Sequence, residues 1–103
     1  MNLNVLDRLI LLSILPKEGD VITLRVLRDL TARLSFSEEE LANLQLQTSE
    51  KGTAWRRDAD KEVEVEIGQR ANRLIVEAFE KLNEQKGLRA EFLGTYEKFI
   101  KED

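Results

Sequence analysis

Glu62, Glu64 and Glu66 alternate with Val63, Val65 and Ile67. On an extended strand this puts three carboxylates on one face, with next neighbours roughly 6–7 Å apart. Two carboxylates at that spacing suit a hard cation held through water, or acid–base work. The set stops short of a site. Asp58, Asp60 and Lys61, just before it, add nothing that closes a coordination shell. The ladder is therefore expected to be a solvated strand face whose charge discourages edge-to-edge pairing. No metal and no cofactor is expected.

Other chemistry is scarcer still. The 103 residues include no cysteine and no histidine. A nucleophile would have to be Ser, Thr or Lys, activated by Lys or a carboxylate. Ser13, Ser35, Ser37 and Ser49 are isolated, and none sits in a Gly-x-Ser-x-Gly elbow. The five glycines are scattered singly, so no loop is built to cradle phosphate. Missing thiols also remove disulfides and zinc–thiolate sites, in keeping with a reducing cytoplasm. The expectation is a protein that is not an enzyme; the third reading is a small metal- or carboxylate-dependent enzyme using Glu62, Glu64 and Glu66.

Binding chemistry has more material. Arg25, Arg28 and Arg33 share the outer side of one predicted helix, and Trp55-Arg56-Arg57 sets an aromatic beside two guanidinium groups. That combination can stack on bases and contact phosphate. Against it, Asp29 interrupts the arginine face, and the helix after it opens with Glu38, Glu39 and Glu40, the wrong charge for a DNA groove. Nucleic acid is thus the alternative reading. Protein interaction has wider support. The first helix carries Val5, Leu6, Leu9, Ile10, Leu11, Leu12, Ile14 and Leu15, apolar nearly all the way round. Such a helix is either central in the fold or shared with a second subunit. Leu9, Ile10 and Leu12 are the candidate dimer contacts. Trp55, Arg56 and Arg57 are the candidate partner contacts, with Trp55 expected to be partly exposed.

Positioning these residues needs a fold, and the length is that of one domain, residues 1–103. Net charge is −4, and 35% of residues are charged against 42% hydrophobic. A densely charged surface over an ordinary core is implied. Residues 1–57 hold eight basic and eight acidic side chains; residues 58–103 hold eight and twelve. The acidity thus belongs to the C-terminal part. The apolar run Leu9–Leu15 is too short to span a bilayer and lacks a small-residue cleavage site. No membrane association is expected.

Asn4 and Asp20 are natural N-caps, and Pro16 ends the first helix. Ser37-Glu38-Glu39-Glu40 reads as a capping box for a short third helix, with Phe36 placed to staple on Leu41. Helical periodicity then lapses. Leu44–Thr48 alternates, Ser49–Gly52 is turn-rich, Thr53–Arg56 reads as a return strand, and Lys61–Ile67 alternates strictly. From Gly68 the helical period returns through Ala71, Leu74, Ile75, Ala78, Phe79 and Leu82, with Gly87 as its stop. Phe92, Tyr96, Phe99 and Ile100 mark a last helix. The fold expected is α+β and mainly helical. It has four to five helices with a small antiparallel sheet of two or three strands inserted in the middle.

Four phrases carry a resemblance. They are Leu15-Pro16-Lys17-Glu18-Gly19-Asp20, Leu34 through Glu40, Val65-Glu66-Ile67-Gly68 and Tyr96 through Ile100. Together they resemble small uncharacterised tailed-phage and viral-metagenome proteins. All four are structural devices, so the resemblance implies a viral origin and the host cytoplasm but no activity. The combined expectation is a non-catalytic protein-interaction or regulatory factor, possible as a homodimer. The alternative is a nucleic-acid-binding accessory protein using the arginines above and Trp55.

Overall fold

Asn4 opens the first helix with a reciprocal box. Its side chain accepts from the Asp7 amide, and the Asp7 carboxylate accepts from the Asn4 amide. Two of the orphan N–H groups at the helix start are satisfied this way. The computed structural model describes residues 1–100. Their order is β1 (Asn2–Leu3), α1 (Val5–Ile14), α2 (Val21–Leu34), α3 (Glu38–Leu44), β2 (Gln47–Ser49), β3 (Gly52–Ala54), β4 (Val63–Glu64), α4 (Gln69–Glu84) and α5 (Leu93–Phe99). Single 3₁₀ turns at Arg57–Ala59 and Ala90–Phe92 lead into β4 and α5. The architecture is mainly helical α+β.

Asp20 caps α2 through the Thr23 amide, and Ser37 with Glu40 forms the expected box on α3. At the end of α4 the sequence expectation needs correcting. The residue with positive φ is Lys86, at 56°, not Gly87. The Lys86 amide donates to Asn83 and the Gly87 amide to Leu82, a Schellman stop with lysine in the left-handed position. A Cβ on Gly87 would meet the Leu82 side chain at 3.4 Å, an ordinary contact, so glycine is not required there.

The strands also differ from the pattern in detail. Leu44 closes α3 rather than opening a strand, because Gln45 turns left-handed at φ 51°. The hairpin is therefore β2–β3, with Thr48 opposite Thr53. β4 does not join it. It pairs antiparallel with β1, Leu3 opposite Val63, and Met1 and Val65 exchange backbone bonds beyond it. The result is two separate two-stranded sheets. Regular strand geometry covers two residues of the predicted Lys61–Ile67 segment, and its three apolar residues do not bury alike. Val65, bonded to Met1, is buried; Ile67 is half-buried; Val63 is 39% exposed.

Helices α1, α2, α4 and α5 enclose the core. Leu3, Leu11, Leu30, Leu34, Ile75 and Phe79 are at most 2% exposed at its centre. Phe79 meets Tyr96 edge-on, with ring centroids 5.6 Å apart, which holds α5 on α4. A Leu or Phe at this depth contributes about 1.5–3 kcal/mol by burial. Among the described residues, no helix is long and apolar enough to cross a membrane.

Candidate functional site

Two groups of charged side chains flank α1. The first is buried. Arg8 donates from Nε to the Leu34 carbonyl at 3.0 Å and from one terminal nitrogen to the Ser35 carbonyl at 2.6 Å. It also pairs with the Glu40 carboxylate at 2.6 Å and lies 4.0 Å above the Phe36 ring. Glu40 in turn caps α3. One guanidinium thus ties α1 to the end of α2 and the start of α3. Its bond to Glu40 is the chief cause holding that carboxyl below the usual glutamate range.

Beside it, Asp7 accepts from Thr95 Oγ1 and Lys98 Nζ, joining α1 to α5. Lys98 also donates to Glu62 and to the Asn2 carbonyl. Burial pulls the Lys98 ammonium down, but the bonds and charges of Asp7 and Glu62 outweigh it and leave it raised. Among the described residues no buried side-chain polar atom lacks a partner. This arrangement is scaffold.

Of the glutamate ladder, Glu62 joins this arrangement, Glu66 forms a separate surface pair and Glu64 is exposed. Glu62 pairs with Lys98 at 3.2 Å and Glu66 with Arg33 at 3.3 Å. Among the described residues no three acidic side chains converge as metal ligands.

The second group lines a groove of about 870 Å³. Its floor carries the apolar residues Leu6, Leu9, Ile10 and Ile14 from α1, Leu82 from α4 and Phe92 before α5, with Ser13 among them, and the groove's exposed surface as a whole is as much polar as apolar. Its rim comes from the hairpin and the α4–α5 connection, with Lys51, Trp55, Arg57 and the Arg89–Glu91 pair. Trp55 is half-buried. Its indole N–H donates to Asp60 at 3.1 Å, and the Arg57 guanidinium lies 4.1 Å above its ring. The second oxygen of Asp60 accepts from the Val5 amide, which pins the Trp55 segment to the start of α1.

The structure therefore brings Leu9, Ile10, Trp55 and Arg57 to one place, though they are far apart in sequence. It treats the other candidates differently. Ile10 is 4% exposed and belongs chiefly to the core, so it offers little contact surface. Leu12 is half-buried against the core and does not line the groove. Arg56 is paired with Asp58 at 2.5 Å, away from the groove lining. Arg25 and Arg28 do not line this groove, and Arg33 borders a smaller furrow between α2 and α4 beside Glu66. Lys51, Arg89, Leu82 and Phe92 were not singled out as contacts from sequence. Nothing in their spacing joins them, since only the tertiary fold does.

No known protein family matches the chain, and no curated protein or solved structure does.

Proposed function

We propose that the chain is a non-catalytic protein-interaction or regulatory factor, of phage origin and acting in the host cytoplasm, that docks a partner polypeptide in the groove beside α1. The observation that carries this is the groove's composition. Half-buried aliphatic and aromatic side chains form its floor, and Trp and Arg stand at its edge. Those two residue types dominate energetic hot spots. The groove's size also suits several anchoring side chains.

Leu9 gives the test. It lines the floor, and it is not among the half-buried residues packed against the core, whereas Leu6 and Ile14 are. Leu9→Asp should leave the helical circular dichroism intact. On a bait column loaded with lysate it should lose a protein that the wild type and Leu24→Asp both retain. Leu24 is exposed on α2 and outside the groove. Retention by all three proteins would rule the groove out. Light scattering at micromolar concentration decides whether the occupant is a second copy. A dimer abolished by Leu9→Asp would make the chain its own partner.

A further inference from the structure

Resting on the groove reading above, we infer that the docked segment is acidic on one side and apolar on the other, with its carboxylates facing the hairpin. The charges of the groove carry this. The chain as a whole is at −4, yet the groove is lined by Lys51, Arg57 and Arg89 against a single acid, Glu91.

Three of the acids around the rim are already engaged, while Glu50, next to Lys51 in the hairpin turn, is exposed and does not line the groove. Asp60 accepts from Trp55 with one oxygen and from Val5 with the other. Asp58 is held by Arg56, and Glu91 faces Arg89 at 3.8 Å. Lys51 and Arg57 are exposed and have no acidic partner among the described residues. This sets them apart from Arg8, Arg33, Arg56 and Lys98, each of which pairs with a carboxylate.

Both free cations stand on the hairpin side, whereas the floor facing them belongs to α1, α4 and the turn before α5. A segment lying between them has one side against leucine, isoleucine and phenylalanine and the other against an ammonium and a guanidinium. Arg57 also lies over the Trp55 ring, a contact that restrains its guanidinium before any carboxylate arrives. A bidentate carboxylate contact there costs less side-chain entropy than one to a free arginine. The apolar floor disfavours an oligonucleotide, whose charge is spread along its whole length and which needs a positive track instead.

The experiment selects random peptides displayed on yeast against the folded chain and measures the enriched sequences as fluorescent synthetic peptides. The expected winners pair Asp or Glu with apolar residues. Changing their acids to amides should weaken binding roughly tenfold, and raising the salt concentration should do the same. Lys51→Glu with Arg57→Glu, at two exposed positions, should lose the acidic peptide and gain its lysine-substituted counterpart.

If the amide version binds as tightly while Leu9→Asp abolishes binding, the acidic preference is wrong and the groove reading stands. If neither Leu9→Asp nor the charge reversal changes binding, both readings fail. Failure to enrich any peptide counts against both as well. Fluorescent oligo-dT that binds more tightly than any selected peptide, and is lost in the Arg57 variant, overturns the proposal in favour of nucleic acid.

Discussion

Arg8 and Arg57 both lie over an aromatic ring, one over Phe36 and the other over Trp55, at 4.0 and 4.1 Å from the ring centre. There the likeness ends. Arg8 is 3% exposed and has two carbonyls and a carboxylate as partners. Arg57 is exposed and has no carboxylate among the described residues. A buried charge must be fully partnered, because leaving it alone in the interior costs far more than a surface charge left to water. A surface cation held in one orientation carries no such requirement and is available to something outside the chain. The same contrast separates Lys98, bonded to Asp7 and Glu62, from Lys51. Charges of the first kind make the fold; among those of the second kind, Lys51 and Arg57 are the two that line the groove.

The sharpest way to break this contrast is Arg8→Ala. It leaves the Glu40 carboxylate and the Leu34 and Ser35 carbonyls without their partner, and it should cost about 3–5 kcal/mol in urea unfolding. A loss below about 1 kcal/mol would move Arg8 into the same class as Arg57. Asp7→Asn comes next. It removes the charge facing Lys98 and weakens the Asn4 box, with an expected loss of about 2–3 kcal/mol, because Lys98 keeps some solvent.

Much of the first class was legible in sequence as local devices. Asn4, Asp20 and the Ser37–Glu40 box form where the caps were expected, since capping depends on residues three apart. The helical period placed Ala71, Ile75 and Phe79 in the core for the same reason. The partnership of Arg8 with Glu40, thirty-two residues away, has no local signature. Nor does the pairing of β4 with β1. Alternation marks a strand but says nothing of its neighbour, so the sequence leaves open whether Lys61–Ile67 joins the hairpin in a sheet of two or three strands. The groove was legible only in fragments. Leu9 and Trp55 stood out singly, as an apolar excess and as a tryptophan beside arginines. What joins them is the Asp60 bridge between Trp55 and Val5, which no spacing rule reports.

Acid sharpens the comparison further. Glu40 titrates below its usual range in the folded chain, so the unfolded chain takes up its proton first as pH falls. Its contribution is complete above the ordinary value of 4.5 and is lost as pH drops through the lower folded value. Unfolding midpoints measured through that window should fall in the wild type. They should fall less steeply in Glu40→Gln, which is less stable at neutral pH but has no charge there to lose. Parallel slopes would show that Arg8 draws no pH-dependent stability from Glu40.

Ser37→Ala removes the hydroxyl that accepts from the Glu40 amide, and about 1 kcal/mol should go with it. An unchanged melting midpoint would mean that Arg8 alone holds Glu40 in place. The smallest effect belongs to the rim. Lys51→Glu with Arg57→Glu should change stability by no more than about 0.5 kcal/mol. A larger loss would make the Arg57–Trp55 stack part of the scaffold.

Amide hydrogen exchange, recorded with and without the protein retained on the bait column, tests the groove most directly. Binding should slow exchange in the second half of α1, from Lys51 to Arg57, and from Arg89 to Phe92, while leaving α2 unchanged. Slowing confined to α2, around Val21, Ile22 and Leu24, would contradict the assignment and move the docking surface to the apolar residues exposed there.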